Sequence, residues 1–87
     1  MKNLKLEKFR NEIDKIDSDL IRIIAKRFKI TEKVRALKLK INLPVQDKNR
    51  ESEIMEKTDK LAAKLKINSQ LVRNILTSII KEVRKQK

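Results

Sequence analysis

From Phe9 onward the apolar side chains recur at alternating gaps of four and three: Phe9, Ile13, Ile16, Leu20 and Ile23, then, after Arg27, Ile30, Val34, Leu37 and Ile41. This spacing is a heptad seam along one face of a continuous helix. Nothing between Leu4 and Ile41 interrupts a helix, whereas Pro44 in the segment NLPVQD ends it and pushes Leu43 toward an extended backbone. The spacing predicts a first helix of about 38 residues, roughly 57 Å at 1.5 Å per residue. Asp47 is placed to cap a second helix that carries Glu51 in its first turn and continues through Ile54, Met55, Thr58, Leu61, Ala62 and Leu65. Asn68 or Ser69 caps a third, whose stripe reads Leu71 or Val72, Ile75 or Leu76, Ile79 and Val83 and runs to the end of the chain.

These lengths do not match. A domain of this size is about 30 Å across, so two short helices cannot cover a seam nearly twice as long. A second copy laid antiparallel along the first helix covers it, in a closed symmetric dimer with one shared core. The alternative is a long coiled-coil spacer, which the two shorter, capped, amphipathic helices disfavour. The expected fold is therefore all-α: a single domain over residues 1–87, with one long and two shorter helices per chain, forming an intertwined antiparallel homodimeric bundle.

Composition narrows the chemistry. The chain has no Gly, one Pro, no Trp and no Tyr, which suits long helices better than strands joined by tight turns. It has no Cys and no His, so disulfides, thiolate metal sites and imidazole acid/base chemistry are excluded. No cofactor or metal is expected; charge, hydrogen bonding and shape must carry any reaction. The amino-terminal stretch MKNLKLEKFRNEIDKID contains no uninterrupted apolar run, so neither a signal peptide nor a membrane span is expected, and a cytoplasmic location follows as the simplest reading. The net charge of +12 favours an anionic partner: nucleic acid, an anionic membrane surface or a small polyanionic metabolite.

Arg27 occupies a seam position where the heptad calls for an apolar side chain, and a guanidinium there is costly unless it meets an anion or acceptor. Snorkelling to solvent or pairing with a buried Glu would also answer that need. Arg10 and Lys38 share a flanking heptad position beside the seam. Lys38 lies roughly 16 Å beyond Arg27 along the helix, close enough for two long side chains to converge on a small molecule. Arg10 lies roughly 42 Å from Lys38 on the same helix, so a single chain cannot bring both to one ligand. Antiparallel pairing can, by carrying the second copy's arginine at position 10 toward Arg27 and Lys38. Taken alone, Arg10 and Lys38 read as solvated surface charges.

Three stretches, FRNEIDKIDSDLIRIIAKR, VRALKLKINLPVQD and DKNRESEI, follow in order the pattern R-x-x-I-D-x-I-D-x-x-L-I-x-L-I-A-x-R, with Ile23 at its second Leu, and then K-x-x-x-x-x-P-V-x-D-x-x-R-E. In this the sequence resembles the helical, AroQ-class chorismate mutases over nearly its whole length, most strongly over the first two thirds. The resemblance implies an entwined dimer with two equivalent active sites, each completed by the partner's first helix, and chorismate, a small dianion, as substrate. Arg10 then resembles the arginine donated across the dimer to a substrate carboxylate, and Arg27 its same-chain counterpart. Lys38 resembles the lysine that hydrogen-bonds the ether oxygen and a carboxylate. Arg50 resembles an active-site arginine of the second helix, and Glu51 with the Asp47 backbone is implied to orient the ring hydroxyl. The third helix departs from the pattern: Val83 stands where many members carry a small polar residue, and Lys87 where they carry Gln. Lys87 either presents a cation to the ether oxygen or frays into solvent, and a one-residue shift makes Gln86 the donor.

The reaction so implied is an intramolecular [3,3] rearrangement of chorismate to prephenate, in phenylalanine and tyrosine biosynthesis, with no proton transfer, nucleophile or metal. An isochorismate-pyruvate lyase of the same fold is the enzymatic alternative, which sequence separates poorly. A basic helical module for nucleic acid or a protein partner is the non-enzymatic one. Against it, stacking aromatics are lacking and the cations are spread over all three helices. Neither nucleic acid nor a membrane is the expected partner.

Overall fold

The computed structural model describes residues 3–85 of the 87-residue chain. It contains α1 (Leu4–Lys40), α2 (Lys48–Leu65) and α3 (Ser69–Lys85), with no strand among the described residues. Each helix starts at a short polar side chain that accepts an otherwise orphaned backbone N–H. Asn3 Oδ1 accepts from Leu6 N at 3.1 Å, Asp47 Oδ1 from Arg50 N at 3.0 Å, and Asn68 Oδ1 from Leu71 N at 3.1 Å. Asn68 rather than Ser69 is thus the cap of α3.

The helix ends solve a problem that a glycine-free chain sets for itself. A helix commonly closes with one residue in the left-handed region, usually Gly. Here Asn42 and Lys66 take that role, at φ 59° and 58°. Behind Asn42, Leu43 N donates to Lys38 O at 2.8 Å and Asn42 N to Leu39 O at 3.4 Å. Behind Lys66, Ile67 N donates to Ala62 O at 2.9 Å and Lys66 N to Ala63 O at 3.2 Å. Both ends are Schellman closures, and the first stops α1 at Lys40, one residue before the limit at Ile41 set by the apolar spacing. Asn tolerates the left-handed region through its short polar side chain; Lys66 does not share that advantage.

The chain divides into two units, one up to Thr31 and one from Glu32. The first consists of α1 residues, none of them buried. Its seam positions Phe9, Ile13, Ile16, Leu20, Ile23 and Ile30 are all exposed in the single chain, Ile23 by 64 %. In the second unit α2 packs antiparallel on α3. Its only buried described residues are Thr58 and Ala62, both small and one turn apart on α2, which lets α3 approach closely. The Thr58 hydroxyl donates to Ile54 O at 2.7 Å, so its burial leaves no unmet polar group. On α3 the half-buried apolar positions are Val72, Leu76, Ile79, Ile80 and Val83, while Leu71 and Ile75 face solvent. This resolves the two alternatives left open in the stripe. Arg73 Nε and Asp59 Oδ1 tie the two helices at 2.8 Å. Both partners are about two-fifths exposed, so the pair contributes less than about 1 kcal/mol.

Lys66→Gly is expected to stabilise the protein by about 0.5–1 kcal/mol, because it removes the Cβ clash at φ 58° without touching any side-chain contact named above. Urea denaturation at fixed protein concentration checks this; an unchanged or lowered midpoint would show that Lys66 bears no conformational cost.

Candidate active site

The second unit gathers most of the residues singled out from the sequence. Lys38, half-buried in the last turn of α1, donates from Nζ to Val45 O at 3.4 Å and so spans the Pro44 loop. Two residues further on, Asp47 (φ −129°, ψ 98°) caps α2 and fixes its first turn; Glu51 N also donates to Asp47 O at 3.1 Å. That turn presents Arg50 and Glu51. The Arg50 guanidinium is exposed and pairs with Glu53 Oε2 at 2.9 Å. Glu51 is half-buried and pairs with Arg84 Nη2, from the last turn of α3. Val83, the neighbour of Arg84, is also half-buried. The start of α2 and the end of α3 therefore meet at one place, beside the loop that Lys38 spans.

In the first unit Arg27 is half-buried despite its charge, and its carbonyl accepts from Thr31 Oγ1 at 2.8 Å. No described carboxylate lies within ion-pair distance of its guanidinium. Arg10 is exposed and pairs with Glu7 one turn back, at 3.3 Å. Lys87 and its alternative Gln86 lie outside the described residues.

A groove of about 560 Å³ runs between α2 and α3, lined by Glu51, Met55, Asp59, Arg73, Ile80 and Arg84 among others. Its acidic groups come from α2 and its basic groups from α3, and ion pairs cross it at Glu51–Arg84 and Asp59–Arg73. Sequence reasoning did not single out Arg84. The signal was available: Glu51 and Arg84 stand almost equally far in sequence from Ile67, so folding α3 back over a tight connection brings them face to face. Among the described residues no group of three or more His, Cys, Asp or Glu side chains is arranged to hold a metal ion. Chemically the described site offers cations with free N–H groups and one half-buried carboxylate, a set suited to binding a small anion that also bears a hydroxyl.

The chain belongs to the chorismate mutase type II family, whose profile matches residues 9–87. It is 34 % identical over 74 residues to the bifunctional chorismate mutase/prephenate dehydratase of Buchnera aphidicola subsp. Schizaphis graminum, covering 85 % of this chain and 19 % of that protein. With the protein of the same name from Aquifex aeolicus it shares 40 % identity over 53 residues, 61 % of this chain and 15 % of the relative. A chorismate mutase of Methanocaldococcus jannaschii is 33 % identical over 57 residues, 66 % of this chain and 58 % of the relative. The chain thus spans about a fifth or less of the bifunctional relatives' length. No solved structure matches it significantly.

The cap and the charge of Asp47 can be separated. Asp47→Ala is expected to cost about 1 kcal/mol, because Arg50 N loses its acceptor, whereas Asp47→Asn, also a good cap, should stay within a few tenths. Equal losses in both variants, measured by chemical denaturation, would mean that the carboxylate charge rather than the cap holds the first turn of α2.

Proposed function

We propose that this chain is a chorismate mutase, converting chorismate to prephenate in the cytoplasm as an intertwined homodimer with two shared active sites. The observation that carries the proposal is the family match over residues 9–87, together with the ordered cationic pattern inside it. The exposed seam of α1 supports the dimer: a second copy laid antiparallel on it removes apolar surface that one chain leaves in water. No helix among the described residues is long and apolar enough to cross a membrane.

The reaction breaks one C–O bond as a C–C bond forms within one molecule, so the protein need only hold the substrate's enolpyruvyl arm over its ring and stabilise developing charge. Fixing such near-attack geometry contributes several kcal/mol. In the proposed site Arg10 of one subunit and Arg27 of the other clamp the carboxylates, Arg50 adds a third guanidinium, and Glu51 with the Asp47 backbone takes the ring hydroxyl. From the third helix, Val83 lines the site. As the C–O bond stretches, negative charge grows on the ether oxygen, and a cation already in place there binds the transition state better than the ground state. Lys38 is assigned that role. Its amine is held at the Pro44 loop through a hydrogen bond to Val45 O, which uses one of its three N–H groups.

The direct test follows the absorbance of chorismate with purified protein and identifies the product. Saturable formation of prephenate without added cofactor is expected; release of pyruvate from isochorismate with chorismate untouched would assign the fold to the lyase reaction instead. Lys38→Ala should lower kcat by two or more orders of magnitude while raising KM far less, since the charge on the ether oxygen develops only in the transition state and the arginines still hold the carboxylates. Unchanged turnover would remove Lys38 from the mechanism. Arg10→Ala and Arg27→Ala should each be inactive alone, yet mixed heterodimers should regain activity, because one of their two sites has both arginines intact. A verified heterodimer without activity would rule out shared sites.

A further inference from the structure

Arg84 has no role in the site proposed above, yet it touches one of that site's groups. Its Nη2 pairs with Glu51 Oε1, joining the last turn of α3 to the first turn of α2. Glu51 is 27 % exposed and Arg84 40 %, so the pair is better shielded from solvent than the Arg10–Glu7, Arg22–Asp19 or Arg50–Glu53 pairs within single helices. The guanidinium of Arg50, the sequence neighbour of Glu51, turns to Glu53 instead.

We infer that Arg84 is a positioning residue for substrate binding, which orients the Glu51 carboxylate and cancels its charge where a dianion must enter. The inference rests on the proposed function, in which Glu51 accepts the ring hydroxyl. Two physical consequences support it. First, the pair occupies Oε1 and leaves Oε2 as the acceptor, so a carboxylate on a freely rotating side chain acquires one defined orientation. Secondly, an uncompensated carboxylate beside a dianion raises the free energy of the complex, and a guanidinium paired with Oε1 offsets that repulsion while leaving Oε2 for the hydroxyl. The apolar neighbour Val83 supplies no polar group for either purpose. On α3, therefore, the polar contribution to the described site falls to the next residue, acting through Glu51.

Steady-state kinetics of the full chain with chorismate test this, using R84Q, R84K, E51Q and the double variant E51Q/R84Q, with the thermal midpoint recorded for each. R84Q should raise KM about five- to tenfold with kcat changed less than about threefold, and R84K should recover most of the loss because it keeps the charge. In the E51Q background R84Q should raise KM no further, since no carboxylate charge is left to cancel. Should R84Q not fold, R84M, which keeps the apolar stem, carries the same expectations. An unchanged KM with only a lowered thermal midpoint would make the pair a structural tie and overturn the inference. A KM rise of equal size in the E51Q background would overturn it too, by showing that Arg84 acts on substrate without Glu51. A wild-type protein that leaves chorismate untouched would instead remove the functional reading, and this inference with it.

Discussion

Exposed apolar surface on α1 is the constraint to which the rest of the molecule answers. Its seam residues are roughly half exposed in the single chain, from 45 % at Val34 to 64 % at Ile23. Full burial of a large aliphatic side chain is worth about 1.5–3 kcal/mol, so the exposed half of each forgoes about 1 kcal/mol. Over the nine apolar seam positions this comes to the order of 10 kcal/mol, as large as the net stability of a small domain. The second unit offers little in exchange, since Thr58 and Ala62 are its only buried described residues. The proposed dimer would relieve both deficits with one surface, which is why the oligomeric state and the catalytic proposal stand or fall on related observations.

The same seam gives Arg27 its meaning. A heptad that admits a guanidinium forfeits apolar burial at that position and exposes the charge to desolvation once the seam is covered. Among the described residues no carboxylate offsets that cost, and the side chain is already half-buried before any partner arrives. An anionic ligand bound at the seam would turn the cost into affinity. In the proposed dimer, binding cations in a helix–helix contact would also hold the ligand where water is scarce and each charge–charge contact is strong.

Most of the fold was legible in the sequence because local rules govern it. The unbroken heptad spacing, the cap at Asp47 and the end of α2 at Leu65 each follow from a few neighbouring residues and appear in the structure where the pattern places them, while α1 stops one residue before Ile41 and the structure chooses Asn68 over Ser69 as the cap of α3. Periodicity alone did not settle the choice between Leu71 and Val72 or between Ile75 and Leu76. Neighbouring positions fit the same stripe, and only the packing of α3 on α2 selects between them. The left-handed closures at Asn42 and Lys66 were hidden for a different reason: with no Gly to mark them, they fall on residues that carry no turn signal strong enough to read. The Glu51–Arg84 pair joins positions 33 residues apart, and its signal lay in their near-equal distance from Ile67 rather than in any local motif. The site residues themselves were reached through a pattern of residue types in order, and their roles remain part of the proposal.

A common arrangement links three cations of the second unit. Lys38 is held by Val45 O, Arg50 by Glu53 and Arg84 by Glu51, so each is tethered by one hydrogen bond to its own chain. A tethered side chain has given up some of the rotamer freedom that a ligand would otherwise have to freeze. The tether does not exhaust its donors: Lys38 keeps two N–H groups and Arg50 keeps four. Electrostatic preorganisation requires this combination, because donors that must rotate into place during the reaction give back the energy they would contribute. For a reaction that asks only for a held conformation and a waiting positive charge, a chain without His or Cys lacks nothing, provided its lysines and arginines are fixed before the substrate arrives.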